Sequence, residues 1–139
     1  MTDLAELEAH IAELCARHGI ERNPLPGPLG RMPCAIHETG EIWIRPIRSA
    51  LSYVMALHEI GHIVGRHQGS PLRRIRETYA WRWARSAALV WTPQVERYVA
   101  NAEAFWRPVK GVSRRREIAF DARWQEGMRS VLRRAREQC

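Results

Sequence analysis

The pattern of apolar and polar positions predicts a mostly helical chain. At the N-terminus, Leu4, Leu7 and Ile11 recur at helical spacing, and Gly19 follows as a stop signal. Each later helix is expected to begin at a hydroxyl residue that can accept a hydrogen bond from the first turn, in two cases with proline next to it. The predicted helices span residues 3–18, 49–66, 70–91, 92–106 and 113–137.

Two short strands are predicted between the first and second helices, at residues 33–37 and 41–45. In the second strand isoleucine and tryptophan alternate, as in a half-buried strand, and Pro46 ends the segment. Residues 23–30 hold three prolines and two glycines and are predicted to form a loop. The expected fold class is therefore α+β, a mostly helical domain with a small β-sheet that precedes the central helix.

The length and composition indicate a small globular protein. The chain has 139 residues, which suits a single domain over residues 1–139. No apolar run approaches the roughly 20 residues of a membrane-spanning helix, and the N-terminus lacks the basic start and apolar stretch of a secretory signal. The three cysteines are widely spaced, so neither a disulfide framework nor a cysteine-rich zinc module is indicated. We expect a cytoplasmic protein without a membrane partner.

The net charge of +7 is unevenly distributed along the chain. Residues 1–30 hold two arginines against five acidic residues, whereas residues 110–139 hold nine basic residues against four acidic ones. The arginine clusters at 114–116 and 133–136 would suit an acidic partner or nucleic acid, and they would equally suit a solvated helix face. The inner face of this last helix is expected to hold Ile118, Trp124, Met128, Val131 and Leu132.

The strongest chemical signal is the segment from His58 to His62, which reads H-E-x-x-H within the second predicted helix. A spacing of four residues puts both imidazoles on one helix face, one turn apart, where they can bind the same metal ion. Two imidazoles and one carboxylate suit Zn²⁺ and leave a fourth position open for water. Glu59 follows the first histidine, so its carboxylate can act as the general base that accepts a proton from that water.

Two residues compete for the place of the third metal ligand. Glu77 lies on the next predicted helix, on a face rich in alanine. Gly61 and Gly65 offer a matching flat surface on the motif helix that would let the two helices approach closely. The alternative is His67, which falls one residue short of the metzincin pattern H-E-x-x-H-x-x-G-x-x-H, with Gln68 at the expected position. The alanine face favours Glu77, with His67 as the alternative ligand or as a residue that contacts a ligand.

Hydrolysis would also need a hydrogen-bond donor to the oxyanion. Tyr53, Tyr79, His67 and several arginines are candidates. Tyr79 is two residues from Glu77, so it points mostly to another face of the helix. The strand at residues 41–45 precedes the motif helix and is expected either to pair with extended substrate backbone along the cleft or simply to pack in the sheet.

The segments HEIGHIVGRH and ETYAWRWA, at residues 58–67 and 77–84, resemble the ImmA/IrrE-like zinc metallopeptidases. That family pairs H-E-x-x-H with a later helix of the form E-x-x-A-x-x-x-A, whose glutamate binds zinc in a gluzincin-like manner. The resemblance covers residues 3–92 and leaves residues 93–139 as a helical C-terminal extension. It implies a zincin-like minimal metallopeptidase domain with Zn²⁺ on His58, His62 and Glu77 and with Glu59 as the general base.

The same resemblance implies an endopeptidase that cleaves an intracellular regulatory protein of the repressor type, in a phage or mobile-element setting. One position departs from the pattern. Related gluzincin-like sequences often have Asp or Asn four residues after the glutamate ligand, to orient a zinc-bound histidine, and here that residue is Trp81. Because the indole N–H can donate but not accept a hydrogen bond, the ligating imidazole needs another acceptor.

A different class of function is also compatible with the sequence. The chain could be a basic nucleic-acid-associated protein in which the zinc site is structural or vestigial and the basic C-terminal helix binds the nucleic acid. Such binding would weaken with added salt and would not depend on the carboxylate of Glu59.

Overall fold

The computed structural model describes residues 2–137, which form five helices and one three-stranded sheet. In chain order the elements are α1 (Leu4–His18), β1 (Glu21–Pro24), β2 (Cys34–Ile36), β3 (Glu41–Ile44), α2 (Ala50–Val64), α3 (Arg73–Ala87), α4 (Pro93–Phe105) and α5 (Arg114–Glu137). This order confirms the α+β class, with a small sheet ahead of the central helix. The helices agree with the predicted ones to within a few residues, although α3 ends at Ala87 rather than near Trp91. None of the helices in this part of the chain is long and apolar enough to cross a membrane.

The sheet is built around β3, which pairs in parallel with β1 on one side and antiparallel with β2 on the other. β2 and β3 confirm the two predicted strands. The loop predicted for residues 23–30 is wrong at its start, because Asn23 and Pro24 belong to β1. The β1 segment has no apolar alternation to mark it as a strand. Pairing with β3 defines it instead, and the Asn23 side chain adds a hydrogen bond to the carbonyl oxygen of Ile42.

The hydrophobic core joins side chains from the sheet and from α1, α2, α3 and α4. The motif helix α2 begins at a capping box in which Ser49 and Ser52 satisfy each other's backbone N–H groups. From Tyr53 onwards most of its side chains are buried. The largest fully buried side chains of the core include Ile11, Ile42, Tyr53, Leu57, Ile60, Val95 and Val99. The polar residues of the motif are therefore carried by a helix that the core holds in place.

α2 and α3 pack against each other at Gly61 and Ala80. A Cβ atom on Gly61 would lie 3.1 Å from the Cα atom of Ala80, which is closer than ordinary van der Waals contact. Ala80 and Ala84 are fully buried. The predicted contact between the glycine positions of the motif helix and the alanine face is thus confirmed. It brings Glu77, which lies almost one turn before Ala80 on the same face of α3, up to the motif helix.

α5 is attached to the N-terminus of α3. Leu72 provides no side-chain cap for α3, and Asp121 of α5 instead accepts a hydrogen bond from the backbone N–H of Arg73 at 2.8 Å. The apolar side chains of α5 that were expected inside are only half-buried, which corrects the prediction; they are Ile118, Trp124, Met128, Val131 and Leu132. The physical reason is that most of this helix face lines an open cleft rather than the core.

Candidate metal centre

Three side chains from α2 and α3 converge on one point. Nε2 of His58 lies 2.9 Å from Oε2 of Glu77, and Nε2 of His62 lies 3.1 Å from the same oxygen. The two Nε2 atoms are 3.2 Å apart. These three residues are the one group of histidine, cysteine or acidic side chains within residues 2–137 whose ligand atoms could share a metal ion.

Gln68 fixes the orientation of the His62 ring. Its Oε1 lies 3.0 Å from Nδ1 of His62, while its amide nitrogen donates hydrogen bonds to the carbonyl oxygens of Arg66 and Arg76. Because the amide nitrogen is used in this way, Oε1 has to face the imidazole, and Nδ1 of His62 carries a proton. Nε2 of a neutral His62 then presents its lone pair to the point of convergence, which is the arrangement of a metal-binding imidazole.

The orientation of His58 has a different origin. Its ring is stacked on the indole of Trp81, with ring centroids 3.8 Å apart. Nδ1 of His58 is buried and has no hydrogen-bond partner among the described residues. Trp81 stands where related sequences often have an acceptor for a histidine N–H group. It therefore orients His58 by ring stacking and not by accepting a hydrogen bond.

The converging atoms favour a cation among them, because the unprotonated Nε2 of His62 and the carboxylate oxygen of Glu77 are both hydrogen-bond acceptors. Burial lowers the pKa of His58. Burial also lowers the pKa of His62, but the hydrogen bond and the charge of Glu77 outweigh this effect and raise that pKa to about 9. For Glu77 burial raises the pKa, and the two histidines outweigh it and hold that pKa well below its usual range. The group therefore holds a proton on His62 or a metal ion in its place.

The spacing of the three atoms fits a divalent metal ion. Zn²⁺ binds nitrogen and carboxylate oxygen at about 2.0–2.2 Å, which separates tetrahedral ligand atoms by roughly 3.3–3.6 Å. The observed separations of 2.9, 3.1 and 3.2 Å are shorter by a few tenths of an ångström, a difference that small side-chain rotations can supply. Two imidazoles and a carboxylate suit a first-row metal, and three ligands leave one tetrahedral position open.

Glu59 lies beside this group without joining it. Its side chain lines the same cleft as the three converging residues. Burial raises the pKa of Glu59 to about 7, although the neighbouring charge of His62 acts in the opposite sense. A carboxylate that titrates near neutrality can both accept and release a proton under physiological conditions. The structure thus brings together His58, Glu59, His62 and Glu77.

These side chains open into a cleft of about 1090 Å³. β2 and the turn after it form one part of its wall, and Trp124, Met128 and Leu132 of α5 form another. The sequence left two roles open for residues 41–45, pairing with substrate along the cleft or packing in the sheet, and the structure favours packing in the sheet. β3 is paired on both sides and has no free edge, whereas the outer edge of β2 pairs with no other strand of the described chain.

The other candidates from the sequence, Tyr53, Tyr79 and His67, do not line the cleft. Tyr53 is fully buried in the core, where its hydroxyl accepts a hydrogen bond from the backbone N–H of Leu89 and contacts His10. α2 ends three residues before His67, whose backbone has a left-handed φ of 59°. The exposed ring of His67 packs on Tyr79 with a centroid separation of 4.4 Å, away from the metal-binding group.

The sequence did not identify two residues of this site. Gln68 was noted only as the residue that replaces the third metzincin histidine, and Arg73 was not noted. Nε of Arg73 lies 3.9 Å from Oε1 of Glu77. The available signal was the spacing of four residues between Arg73 and Glu77, which places them on one face of α3. No comparable spacing on a regular element links Gln68 to His62, because Gln68 lies in the loop after α2.

No family model matches the chain, and no curated protein or solved structure is significantly similar to it.

Proposed function

We propose that the protein is a zinc-dependent endopeptidase of the H-E-x-x-H type. The observation that carries the proposal is the convergence of His58, His62 and Glu77 beside Glu59 in an open cleft. Two histidines and one glutamate form a ligand set of catalytic zinc sites, which keep one position free, whereas structural sites are closed by four protein ligands. The order of small sheet, motif helix and glutamate helix supports a zincin-like minimal fold.

The residues around the ligands suit this chemistry. Bound zinc would supply Lewis acidity, which lowers the pKa of a water molecule and polarises a peptide carbonyl. The carboxylate of Glu59 accepts the proton of the attacking water and delivers it to the nitrogen of the leaving group. Gln68 and Trp81 hold the two imidazoles in the orientation that metal binding needs.

The cleft wall supports a peptide as the substrate. Strand β2 lies in the wall, and its outer backbone edge pairs with no strand of residues 2–137. An extended peptide can add to such an edge through main-chain hydrogen bonds. In this position a scissile peptide bond would pass the side chains of Glu59 and the metal ligands, which line the same cleft.

The nature of the substrate is proposed from the resemblance to the ImmA/IrrE-like metallopeptidases. The resemblance favours cleavage of a regulatory protein of the repressor type in a phage or mobile-element setting, in the cytoplasm. It is carried by the motif segment at residues 58–67 and by the glutamate segment at residues 77–84.

The proposal is tested by measuring zinc content and hydrolysis together. The purified protein should hold about one zinc ion per chain and cleave a pool of internally quenched random peptides. Glu59→Gln should keep the zinc ion and lose the hydrolysis, because the amide preserves the shape of the side chain and removes the base. The matched control is Glu13→Gln, which removes an exposed ion pair of α1 and should leave both properties unchanged. Retained hydrolysis in Glu59→Gln, or a protein that binds no zinc, would overturn the proposal.

The competing hypothesis is a basic nucleic-acid-associated protein with a structural or vestigial zinc site. The exposed arginines at residues 114–116 of α5 support this hypothesis. It requires nucleic-acid binding that weakens steeply with salt and that is equal in wild type and Glu59→Gln. Such binding in a protein without peptidase activity would favour the alternative.

A further inference from the structure

Arg73 is a cleft residue whose guanidinium Nε–H group lacks a hydrogen-bond acceptor. Its side chain is 30% exposed and lines the cleft that contains Glu59 and Glu77. Nε of Arg73 is buried and has no hydrogen-bond partner within the described residues. Oε1 of Glu77 lies 3.9 Å from Nε, which is beyond hydrogen-bond distance. A half-buried guanidinium has five N–H groups to satisfy, so this one is poised to bind an anionic group.

Aromatic contacts hold this guanidinium in position. Its central carbon lies 3.6 Å from the ring centroid of Trp124 and 4.6 Å from that of Trp106. Asp121 accepts the backbone N–H of Arg73 through Oδ2, and its negative charge also acts on the guanidinium group. Stacking restrains the side chain without using its N–H groups, which point along the plane of the guanidinium. The cost of ordering a flexible arginine on binding is thereby reduced.

The other charges of the cleft do not satisfy Arg73. Arg76 adds positive charge and donates its own hydrogen bond to the carbonyl oxygen of Ser70. Arg129 of α5 faces Glu38 at 3.9 Å. Glu77 directs Oε2 to the two imidazoles. The described residues therefore leave the Nε–H group of Arg73 without a hydrogen-bond acceptor beside the metal-binding group.

We propose that Arg73 binds a carboxylate of the peptide substrate and so selects an acidic residue close to the scissile bond. The inference rests on the proposed peptidase function and adds to it the chemical class of the substrate. Arg73 neighbours Oε1 of Glu77, whereas the reacting carbonyl belongs at the metal side, next to Oε2. The anionic group therefore comes from a neighbouring residue of the substrate. A planar guanidinium binds a carboxylate through two parallel hydrogen bonds, which a neutral amide cannot reproduce.

The test compares glutamate with its uncharged isostere, glutamine, in the substrate. Internally quenched octapeptide pools carry Glu or Gln at one fixed position in turn, and the other positions are an equal mixture without acidic residues. For one of these fixed positions, the kcat/KM of wild type should be about 10- to 100-fold higher for the Glu pool than for the Gln pool. This is the effect expected when a charge-assisted hydrogen-bonded pair is lost. The alternative source of the anion is the C-terminal carboxylate of a peptide. Faster cleavage of pools with a free C-terminus than of the same pools with a C-terminal amide would identify it.

Variants assign the preference to Arg73. In Arg73→Gln the ratio between Glu and Gln pools should fall to about 1, and Arg73→Lys should retain part of it because the charge remains. Arg82→Gln is the matched control, since Arg82 is exposed on the same helix and lies outside the cleft. A residue that only supports packing would change the cleavage of both pools equally. Wild type without a preference for a carboxylate, or an unchanged ratio in Arg73→Gln and Arg73→Lys, would overturn the inference.

A second measurement separates this inference from the proposed function. The zinc-loaded Glu59→Gln protein should bind the Glu pool more tightly than the Gln pool in fluorescence anisotropy, and the additional Arg73→Gln change should abolish the difference. If peptides bind in this Arg73-dependent way but wild type cleaves none of them, the peptidase proposal fails and the carboxylate subsite stands. If wild type cleaves both pools equally, the subsite fails and the peptidase proposal stands.

Discussion

Gly61 of α2 packs directly against the backbone of Ala80 in α3. A Cβ atom on Gly61 would lie 2.6 Å from the carbonyl oxygen of Ala80. That oxygen belongs to the backbone of a packed helix and cannot turn away as the end of a flexible side chain could. The contact sits between two ligand-bearing segments, because His62 is the next residue of α2 and Glu77 is almost one turn earlier on α3. The distance between the helices therefore controls the distance between the metal ligands.

Gly61→Ala should both destabilise the fold and weaken metal binding. Overpacking in a closed contact costs about 1–3 kcal/mol, and the displacement of α3 moves the Glu77 carboxylate away from the imidazoles. Urea unfolding and competition with a zinc chelator measure the two effects. Gly127→Ala is the matched control, because it lies in α5 with no atom near the added methyl group and should stabilise that helix by up to about 1 kcal/mol. Unchanged zinc affinity in Gly61→Ala would show that helix spacing does not position the ligands.

The third ligand gives a second prediction. Glu77→Ala should raise the zinc dissociation constant by several orders of magnitude, because it removes one of three protein ligands. His67→Ala should change the dissociation constant little, since the His67 ring contacts Tyr79 outside the metal-binding group. Competition with a chelator of known affinity distinguishes these outcomes. A larger loss in His67→Ala would replace the gluzincin-like assignment with a shortened metzincin-like site.

The stacking of Trp81 on His58 gives a third prediction. Trp81→Leu should weaken zinc binding about 10- to 100-fold, the usual effect of losing a residue that orients a ligand. Trp81→Phe retains a flat ring and should stay within a few-fold of wild type. The melting temperature of the metal-free variants separates lost packing from lost orientation. If the two variants bind zinc equally well, stacking does not orient His58.

The sequence predicted those elements whose periodicity and stop signals are local. α2, α4 and α5 begin at the hydroxyl residues that the sequence marks, whereas α3 begins three residues after Ser70 and has no side-chain cap. The alternation in residues 41–45 identified β3. β1 was missed because Asn23 and Pro24 carry no strand pattern, and only pairing with β3 makes them a strand. In α5 the apolar period was read correctly as one face of a helix. Periodicity alone cannot tell whether such a face meets a packed core or an open cleft, and here it meets a cleft.

The site shows the same division between local and long-range information. The positions of His58, Glu59 and His62 follow from helical spacing within one element. Glu77 was favoured because small residues predict close helix contact, which the structure has at Gly61. The role of Gln68 depends on the path of a loop, and that of Arg73 on aromatic rings at the end of α4 and on α5. No local pattern encodes such contacts.

A fourth prediction concerns pH and the metal-free protein. The carboxylate of Glu77 outweighs burial and raises the pKa of His62 to about 9 in the folded state, against 6.5 as the ordinary value. Because the folded protein binds this proton more tightly, the resulting stabilisation is fully present below about pH 6.5 and is lost as the pH rises through about 9. The difference in free energy of unfolding between wild type and His62→Gln should therefore shrink over this range by on the order of a few kcal/mol. Urea titrations of chelator-treated protein at several pH values measure the difference.

Zinc should reverse the direction of this pH dependence. The metal binds the neutral imidazole and has to displace the proton that His62 holds in the metal-free protein. Displacement becomes easier as the pH approaches 9, so at a fixed concentration of free zinc the stabilisation by the metal should grow between pH 6.5 and 9. The melting temperature of the metal-free protein should fall over this interval while the increment due to zinc rises. Parallel changes of the two quantities would mean that the proton and the metal ion do not share the site formed by His62 and Glu77.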